Sequence, residues 1–274
     1  MMLIDTHVHV WALDERHRPP PDAILPPPTQ AAPVELLLED MAEFEIDHCV
    51  LVMASTFGWD NSYILECLAA YPGKFKGIGL VDPLDPYNGR TLRALMSQGL
   101  TGVRFHPLYY ADLPTWIDSL EHDALWDAAA STGAILQFHM LPVHAPALER
   151  MIRRHPGVRV IVDHIGKPDA TEPPPYSAFD PVLRLADLDD VWVKIGDYQI
   201  ASNESYPWRD TWPFVELLRQ NFGAERIIWG TGYPGKVRLV PLQQALDYVR
   251  GLPCFTPVEL DKVLGETPRR LFGF

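Results

Sequence analysis

Short runs rich in valine and isoleucine recur eight times along this chain, and a stretch with helical spacing follows each one. That alternation narrows the fold more than any other feature. The runs are about Leu3–His9, Cys49–Met53, Phe75–Val81, Gly102–Pro107, Ala134–His139, Val158–His164, Val191–Ile195 and Arg226–Thr231. Short runs apolar on both faces read as strands of a parallel sheet covered by helices. Helical spacing fills the intervals over about Val34–Glu45, Asn61–Tyr71, Asn88–Ser97, Ala124–Ser131, Ala145–His155, Phe179–Ala186 and Phe214–Asn221. Two further helical stretches, about Leu242–Arg250 and Val258–Leu271, finish the chain. Eight βα units in 274 residues predict an α/β fold, a closed (β/α)8 TIM barrel forming a single domain over residues 1–274. No glycine-rich phosphate loop follows the first run, which argues against a dinucleotide-binding sheet.

Prolines cluster at Pro19-Pro20-Pro21 and Pro26-Pro27-Pro28, so residues 12–33 read as a long loop over the end of the first strand, a natural rim or lid. No apolar run approaches the about 20 residues that cross a bilayer. The start lacks a basic flank, and Asp5 and His7 interrupt its apolar run, so no signal peptide is expected. A formal net charge of −13 argues against nucleic acid and anionic membrane as partners. Cys49, Cys67 and Cys254 are scattered outside any metal spacing and read as reduced thiols of a cytoplasmic protein. The expected partner is a small molecule, and a homo-oligomer is left open.

Barrels of this kind carry their chemistry at the C-terminal ends of the strands. Those ends hold His7 and His9, Arg104 and His106, His139, His164, Lys194, and the segment Trp229-Gly230-Thr231-Gly232-Tyr233-Pro234. Side chains alternate along a strand, so His7 and His9 share a face. Five of ten histidines on one predicted face suit metal binding, polarisation of a carbonyl or proton transfer. Arg104 and His106 stand where a bridging lysine would serve a metal pair, so one metal (zinc or manganese) or none is expected. The Arg104 fork suits a carboxylate. Lys167 and Lys194 add positive charge to the same rim, which in an acidic protein points to an anionic substrate. Trp59, Tyr109, Tyr110, Trp208 and Trp212 lie in predicted loops after strands, where core packing is the default for any one of them and an aromatic-rich mouth is the alternative.

Four segments carry a family likeness. Ile4-Asp5-Thr6-His7-Val8-His9-Val10-Trp11, Gly102-Val103-Arg104-Phe105, Val162-Asp163-His164-Ile165-Gly166-Lys167-Pro168 and Ile228-Trp229-Gly230-Thr231-Gly232-Tyr233-Pro234 resemble the amidohydrolase superfamily. They are most similar to its amidohydrolase-2 branch, which includes lactonases of sugar acids and of pyrone dicarboxylate. The resemblance implies a distorted (β/α)8 barrel and hydrolysis of a small, carboxylated lactone or related cyclic carbonyl compound. It assigns His7, His9 and His139 to a metal or, in metal-free members, to polarising the carbonyl. His164 would assist catalysis, and Arg104, with His106 and Lys167 beside it, would bind substrate.

The departure is at Gly232, where the family pattern has an aspartate that activates water. Glycine has no side chain to take a proton. The expectation favoured here is an Asp→Gly change, deliberate or accidental, that inactivates the chain. The alternative is a displaced base, with Asp163 or Asp197 as stand-in, although Asp163 precedes His164 and is expected to face away from the pocket. Two other functions stay in view: a metal-dependent decarboxylase of an aromatic or enoic acid, and a non-catalytic barrel that binds a carboxylated small molecule.

Overall fold

The computed structural model describes residues 2–21, 23, 25–107, 117–234 and 240–274. Eight parallel strands stand in sequence order: β1 (Ile4–Val8), β2 (His48–Val52), β3 (Phe75–Leu80), β4 (Gly102–Phe105), β5 (Ile135–Phe138), β6 (Val160–Val162), β7 (Val191–Ile195) and β8 (Ile227–Trp229). Each pairs with the next, as the βαβ crossover requires. The helices between them are α1 (Val34–Glu43), α2 (Ser62–Ala70), α3 (Asn88–Ser97), α4 (Asp123–Thr132), α5 (Ala145–Arg154), α6 (Asp180–Leu183) and α7 (Trp212–Phe222). After β8 come α8 (Leu242–Arg250), α9 (Pro257–Asp261) and α10 (Thr267–Phe272). The predicted helix Val258–Leu271 is therefore two helices joined by a π-helical turn, Lys262–Glu266. No helix among the described residues is long and apolar enough to cross a membrane.

The core has two parts. Outside the strands, one large cluster fills the space against the helices, with Trp126, Phe179, Phe214 and Trp229 among its buried side chains. Inside the barrel, Val50, Val52, Ile78, Ile135, Ile161 and Ile228 form an apolar floor, closed beneath by Leu271 and Phe272 of α10. Both faces of each strand are thus covered, which explains why the strand sequences read as apolar runs without polar alternation.

Closure between β8 and β1 depends on the segment after β8. Gly232 N–H donates to His7 O at 2.9 Å, and His9 N–H donates to Tyr233 O at 3.0 Å. The Asp5 carboxylate adds a clamp, accepting from Thr231 N at 3.0 Å and Thr231 Oγ1 at 2.5 Å. Burial pushes the Asp5 carboxyl up to about 6 despite these hydrogen bonds. The proline-rich loop is pinned at its base by Trp11 and Ala32, whose backbones bond reciprocally at 2.8 and 3.0 Å.

Candidate active site

The inward faces of the strands change character in a two-residue step toward their C-terminal ends, as strand alternation allows. Ile135 gives way to Gln137 and His139, Ile161 to Asp163, and Gly102 to Arg104 and His106. A polar layer therefore lies directly on the apolar floor, with Lys194 at its centre. The Lys194 side chain is 0% exposed, with Nζ 2.9 Å from Gln137 Oε1, 3.2 Å from Asp163 Oδ1 and 3.2 Å from His7 Nδ1. The ammonium thus meets two hydrogen-bond acceptors, Gln137 Oε1 and His7 Nδ1, and pairs with the Asp163 carboxylate. Asp163 Oδ2 accepts from Arg104 Nε at 2.7 Å and from Gln137 Nε2 at 3.0 Å. Burial pushes the Asp163 carboxyl up, but Lys194 and Arg104 outweigh it and hold the group below the usual carboxylate range. Burial pushes Lys194 down to about 8 against the attraction of Asp163, so the ammonium stays charged at neutral pH.

Two expectations are corrected here. Lys194 is no part of the rim: it sits inside the barrel, because β7 places it on the inward face one layer below the mouth. Nor does Asp163 face away. Ile161 and Asp163 share the inward face of β6 and its extension, and His164 then joins them because its φ of 50° turns the chain back. Strand alternation had stopped at Val162.

Edge-to-face and tilted ring contacts make the histidine cluster continuous. Centroids are 4.8 Å apart for His7 and His9, 4.6 Å for His7 and His164, 4.8 Å for His139 and His164, and 5.6 Å for His106 and His139. Burial, reinforced by the neighbouring cations, pushes His7 and His164 well down, and burial with Arg104 does the same to His106. All three are neutral near pH 7. The hydrogen bonds then fix their tautomers. An ammonium only donates, so His7 Nδ1 accepts from Lys194 and His7 Nε2 carries the proton. A carbonyl only accepts, so His9 Nδ1, 2.6 Å from Val52 O, is a donor and His9 Nε2 holds a lone pair. The two Nε2 atoms are 3.1 Å apart, so the chain runs in one direction from Lys194 through His7 and His9 to Val52 O. Similarly, Arg104 Nη2, 2.8 Å from His164 Nε2, leaves the His164 proton on Nδ1, which faces Asp197 Oδ2 at 3.4 Å. His106 Nε2 lies 2.9 Å from Ser55 Oγ.

This arrangement tests the fit of a metal. Among the described residues, His7, Asp163 and His164 form the group whose candidate ligand atoms lie within 4.8 Å of one another, in place of the expected His7, His9 and His139. These donors do not fit a cation. Asp163 is engaged by Arg104, Gln137 and Lys194; the His164 Nε2 lone pair points at Arg104; and His7 Nε2 carries a proton. A ligating nitrogen must offer a lone pair, and a divalent ion here would also meet two positive side chains.

Above the polar layer opens a cavity of about 290 Å³ lined by His9, Arg104, His139, His164, Lys167 and Asp197, with Leu25, Ala54, Ser55, Thr56 and Ile200 on its walls. Arg104 and Lys167 bring two cationic side chains to it, and burial pushes the Lys167 ammonium down. His7 lies beneath the lining and His106 beside it, while Gly232 stands behind Asp197. A Cβ at Gly232 would overlap Asp197 Oδ1 and come within 2.5 Å of its Cγ and 2.6 Å of Oδ2. Of the loop aromatics, Trp208 packs in the core beside Tyr198 and Tyr248, the default reading for each of them, and Trp59 is exposed and off the cavity lining. Trp212 begins α7, and Tyr109 and Tyr110 lie outside the described residues. Leu25, Ser55, Thr56 and Ile200 were not singled out from sequence; they come from loops whose composition carries no chemical signal.

The comparisons with known proteins agree with this architecture. The amidohydrolase family model matches residues 4–274. A 4-sulfomuconolactone hydrolase from Rhizobium radiobacter is 26% identical over 98% of this chain and 89% of its own length. A 2-pyrone-4,6-dicarboxylate hydrolase from Comamonas testosteroni is 25% identical over 84% of this chain and 76% of its own. A crystal structure from Pseudomonas putida, described as a 2-pyrone-4,6-dicarboxylic acid hydrolase, superposes with a TM-score of 0.84 at 26% identity, covering 99% of this chain and 97% of that one. With the family pattern running from β1 to the last residue, this chain belongs to the amidohydrolase family.

Proposed function

We propose that this protein hydrolyses a small anionic lactone without a bound metal. One observation carries the reading. In a chain of net charge −13, the cavity at the C-terminal end of the strands gathers Arg104, Lys167 and three imidazoles around about 290 Å³. That volume suits a single ring with a few substituents, near the small end of ligand pockets. The two cations supply what an anionic substituent needs, and their positive charge also favours a carbonyl on which negative charge develops. Water attack on that carbonyl then opens the ring. The hydrogen-bond directions set by Lys194 and Arg104 support the metal-free form, since they place protons or cations where a metal would need lone pairs. Both similar hydrolases are named for anionic, ring-closed substrates, which supports the same class. The three cysteines stand as free thiols, in keeping with a reducing compartment such as the cytoplasm.

The test offers 2-pyrone-4,6-dicarboxylate, 4-sulfomuconolactone and the uncharged δ-valerolactone to purified, chelator-treated protein, following ring opening by absorbance and by product mass. Ring opening of an anionic lactone, at least ~10²-fold faster than of δ-valerolactone, is expected from the charge-assisted contacts that Arg104 and Lys167 offer its anionic substituent. No ring opening, or activity that returns only with added zinc or manganese, would overturn the reading. Carbon dioxide release from an aromatic acid would favour the decarboxylase alternative.

A further inference from the structure

We propose that Asp197 is the group that takes the proton from the attacking water, and that residue 232 is glycine because the Asp197 carboxylate fills the space its side chain would need. The inference rests on the lactonase reading and names the one role that reading leaves unassigned.

Asp197 arrives at the mouth by a backbone device. β7 ends at Ile195, Gly196 follows with φ 150°, and Asp197 itself is left-handed with φ 51°. This doubling back turns the carboxylate over the barrel end, toward the neighbouring strand β8. Aspartate tolerates that conformation better than most side chains. Gln199 Nε2 donates to Oδ1 at 2.9 Å, and His164 Nδ1, which carries its proton, lies 3.4 Å from Oδ2. The carboxylate is therefore held in place, 5% exposed, on the cavity wall.

The other carboxylates of the site, and the lone pairs of His9 and His164, are committed elsewhere. Asp197 is the only carboxylate among the described residues lining the cavity. Asp163 lies beneath, engaged by Arg104, Gln137 and Lys194. Asp5 is tied to Thr231 and stands off the lining. The His164 Nε2 lone pair takes a proton from Arg104, and that of His9 faces the proton of His7. Gly232 completes the case, because all three heavy atoms of the Asp197 carboxylate surround the point where a Cβ at 232 would stand. The segment carrying Gly232 also bonds to His7 O, so the carboxylate is delivered beside the β1 histidines from the adjoining strand end.

In the reaction, Asp197 removes one proton from water as the water oxygen bonds to the lactone carbonyl carbon and the carbonyl π pair moves onto oxygen. Collapse of that adduct re-forms the carbonyl and breaks the bond from carbon to the ring oxygen, which leaves with its electron pair. The ring oxygen then recovers the proton held by Asp197, giving a hydroxy acid that ionises in solution. Lactone and water are consumed one to one, with no other reactant.

The experiment uses full-length protein and whichever of 2-pyrone-4,6-dicarboxylate or 4-sulfomuconolactone the wild type opens faster, with melting curves to establish folding. Asp197→Asn, nearly isosteric, should lower kcat by ~10²–10⁴-fold with KM within about threefold. Asp197→Gly should be rescued by added formate and more strongly by acetate, the better base; a group that only orients His164 predicts no dependence on carboxylate basicity. Gly232→Asp alone should lose activity through the overlap. The same change combined with Asp197→Gly should recover at least about tenfold over Asp197→Gly, since a carboxylate returns from the other strand end. Wild-type turnover that survives Asp197→Asn, or a Gly232→Asp protein faster than wild type, would overturn Asp197 while leaving the lactonase reading intact. If Gly232→Asp fails to fold, Asp197→Asn and the rescue series decide. Failure of the wild type to open either ring would remove the lactonase reading, and the base with it.

Discussion

Replacing Lys194 with methionine tests the polar layer on which the site stands. The substitution keeps much of the side chain's length and removes the ammonium from its two acceptors, Gln137 Oε1 and His7 Nδ1, and from its ion pair with Asp163 Oδ1. Removing one partner of a buried ion pair costs about 3–5 kcal/mol, because the other charge remains buried. Here the lower figure, about 3 kcal/mol, is expected for two reasons. Arg104 and Gln137 stay on the Asp163 carboxylate. The fall of Lys194 from its ordinary value of 10.5 to about 8 also means that burying this cation already costs the folded state about 3 kcal/mol at neutral pH, a cost methionine does not carry.

The pH dependence sharpens the test. A group whose folded pKa is depressed loses its proton first in the folded state, so between pH 8 and 10.5 the unfolded chain binds more protons and wild-type stability gains with rising pH. The Lys194→Met protein lacks that gain, so the wild-type advantage measured by urea denaturation should widen by up to about 3 kcal/mol across the window. Metal uptake gives a second readout. Without the ammonium, His7 is free to carry its proton on Nδ1 and to turn an Nε2 lone pair toward that of His9, 3.1 Å away. Elemental analysis after dialysis against zinc should then find more metal on the variant than on the wild type. A wild type that holds one equivalent of zinc through chelation, with a variant that loses it, would refute this account of the His7 tautomer.

Two further substitutions probe how neighbouring elements place the site. Asn61→Ala removes an amide that bonds both Leu80 N at 2.7 Å and Leu80 O at 2.9 Å, fastening the start of α2 to the end of β3. With both peptide groups left buried, a loss of about 2–4 kcal/mol is expected in urea denaturation, and less than ~0.5 kcal/mol would show that water replaces the amide. Gly230→Ala brings a Cβ within 2.5 Å of His7 Cβ and 2.7 Å of His7 N, so β1 must shift at its functional end. Turnover should fall by ~10²-fold, as for a displacement of about 1 Å at a reacting centre, and an unchanged kcat would show that His7 is not held to that tolerance.

How far these relations could be read from sequence depends on the range over which each is encoded. The eight strands are local: β-branched runs on a helix-covered sheet announce themselves, and seven βα crossovers then leave little choice of topology. The pairing of His7 with His9 is also local, a consequence of alternation across Val8 at the end of β1, with His9 one residue beyond it. The depth of a side chain in the barrel is not. Nothing in Val-Trp-Val-Lys-Ile says whether the lysine stands at the rim or one layer lower, because that depends on how β7 is staggered against β6 and β8. That Asp163 and His164 both face inward was hidden for another reason: the φ of 50° at His164 and at Ile165 is unusual for non-glycine residues, and no letter in Asp-His-Ile marks it.

Gly232 shows what a strand-end motif does and does not specify. A motif reports which strand end supplied a group in similar chains, whereas the reacting atoms respond only to where a carboxylate sits in space. β7 and β8 are hydrogen-bonded neighbours, so a turn at the end of one can reach the position a side chain would take from the end of the other. Such an exchange requires that the first side chain be absent, since two carboxylates would repel and collide at this separation. A glycine beside a doubled-back aspartate satisfies that condition, and under it the loss of one acidic residue from a motif is no argument for loss of activity.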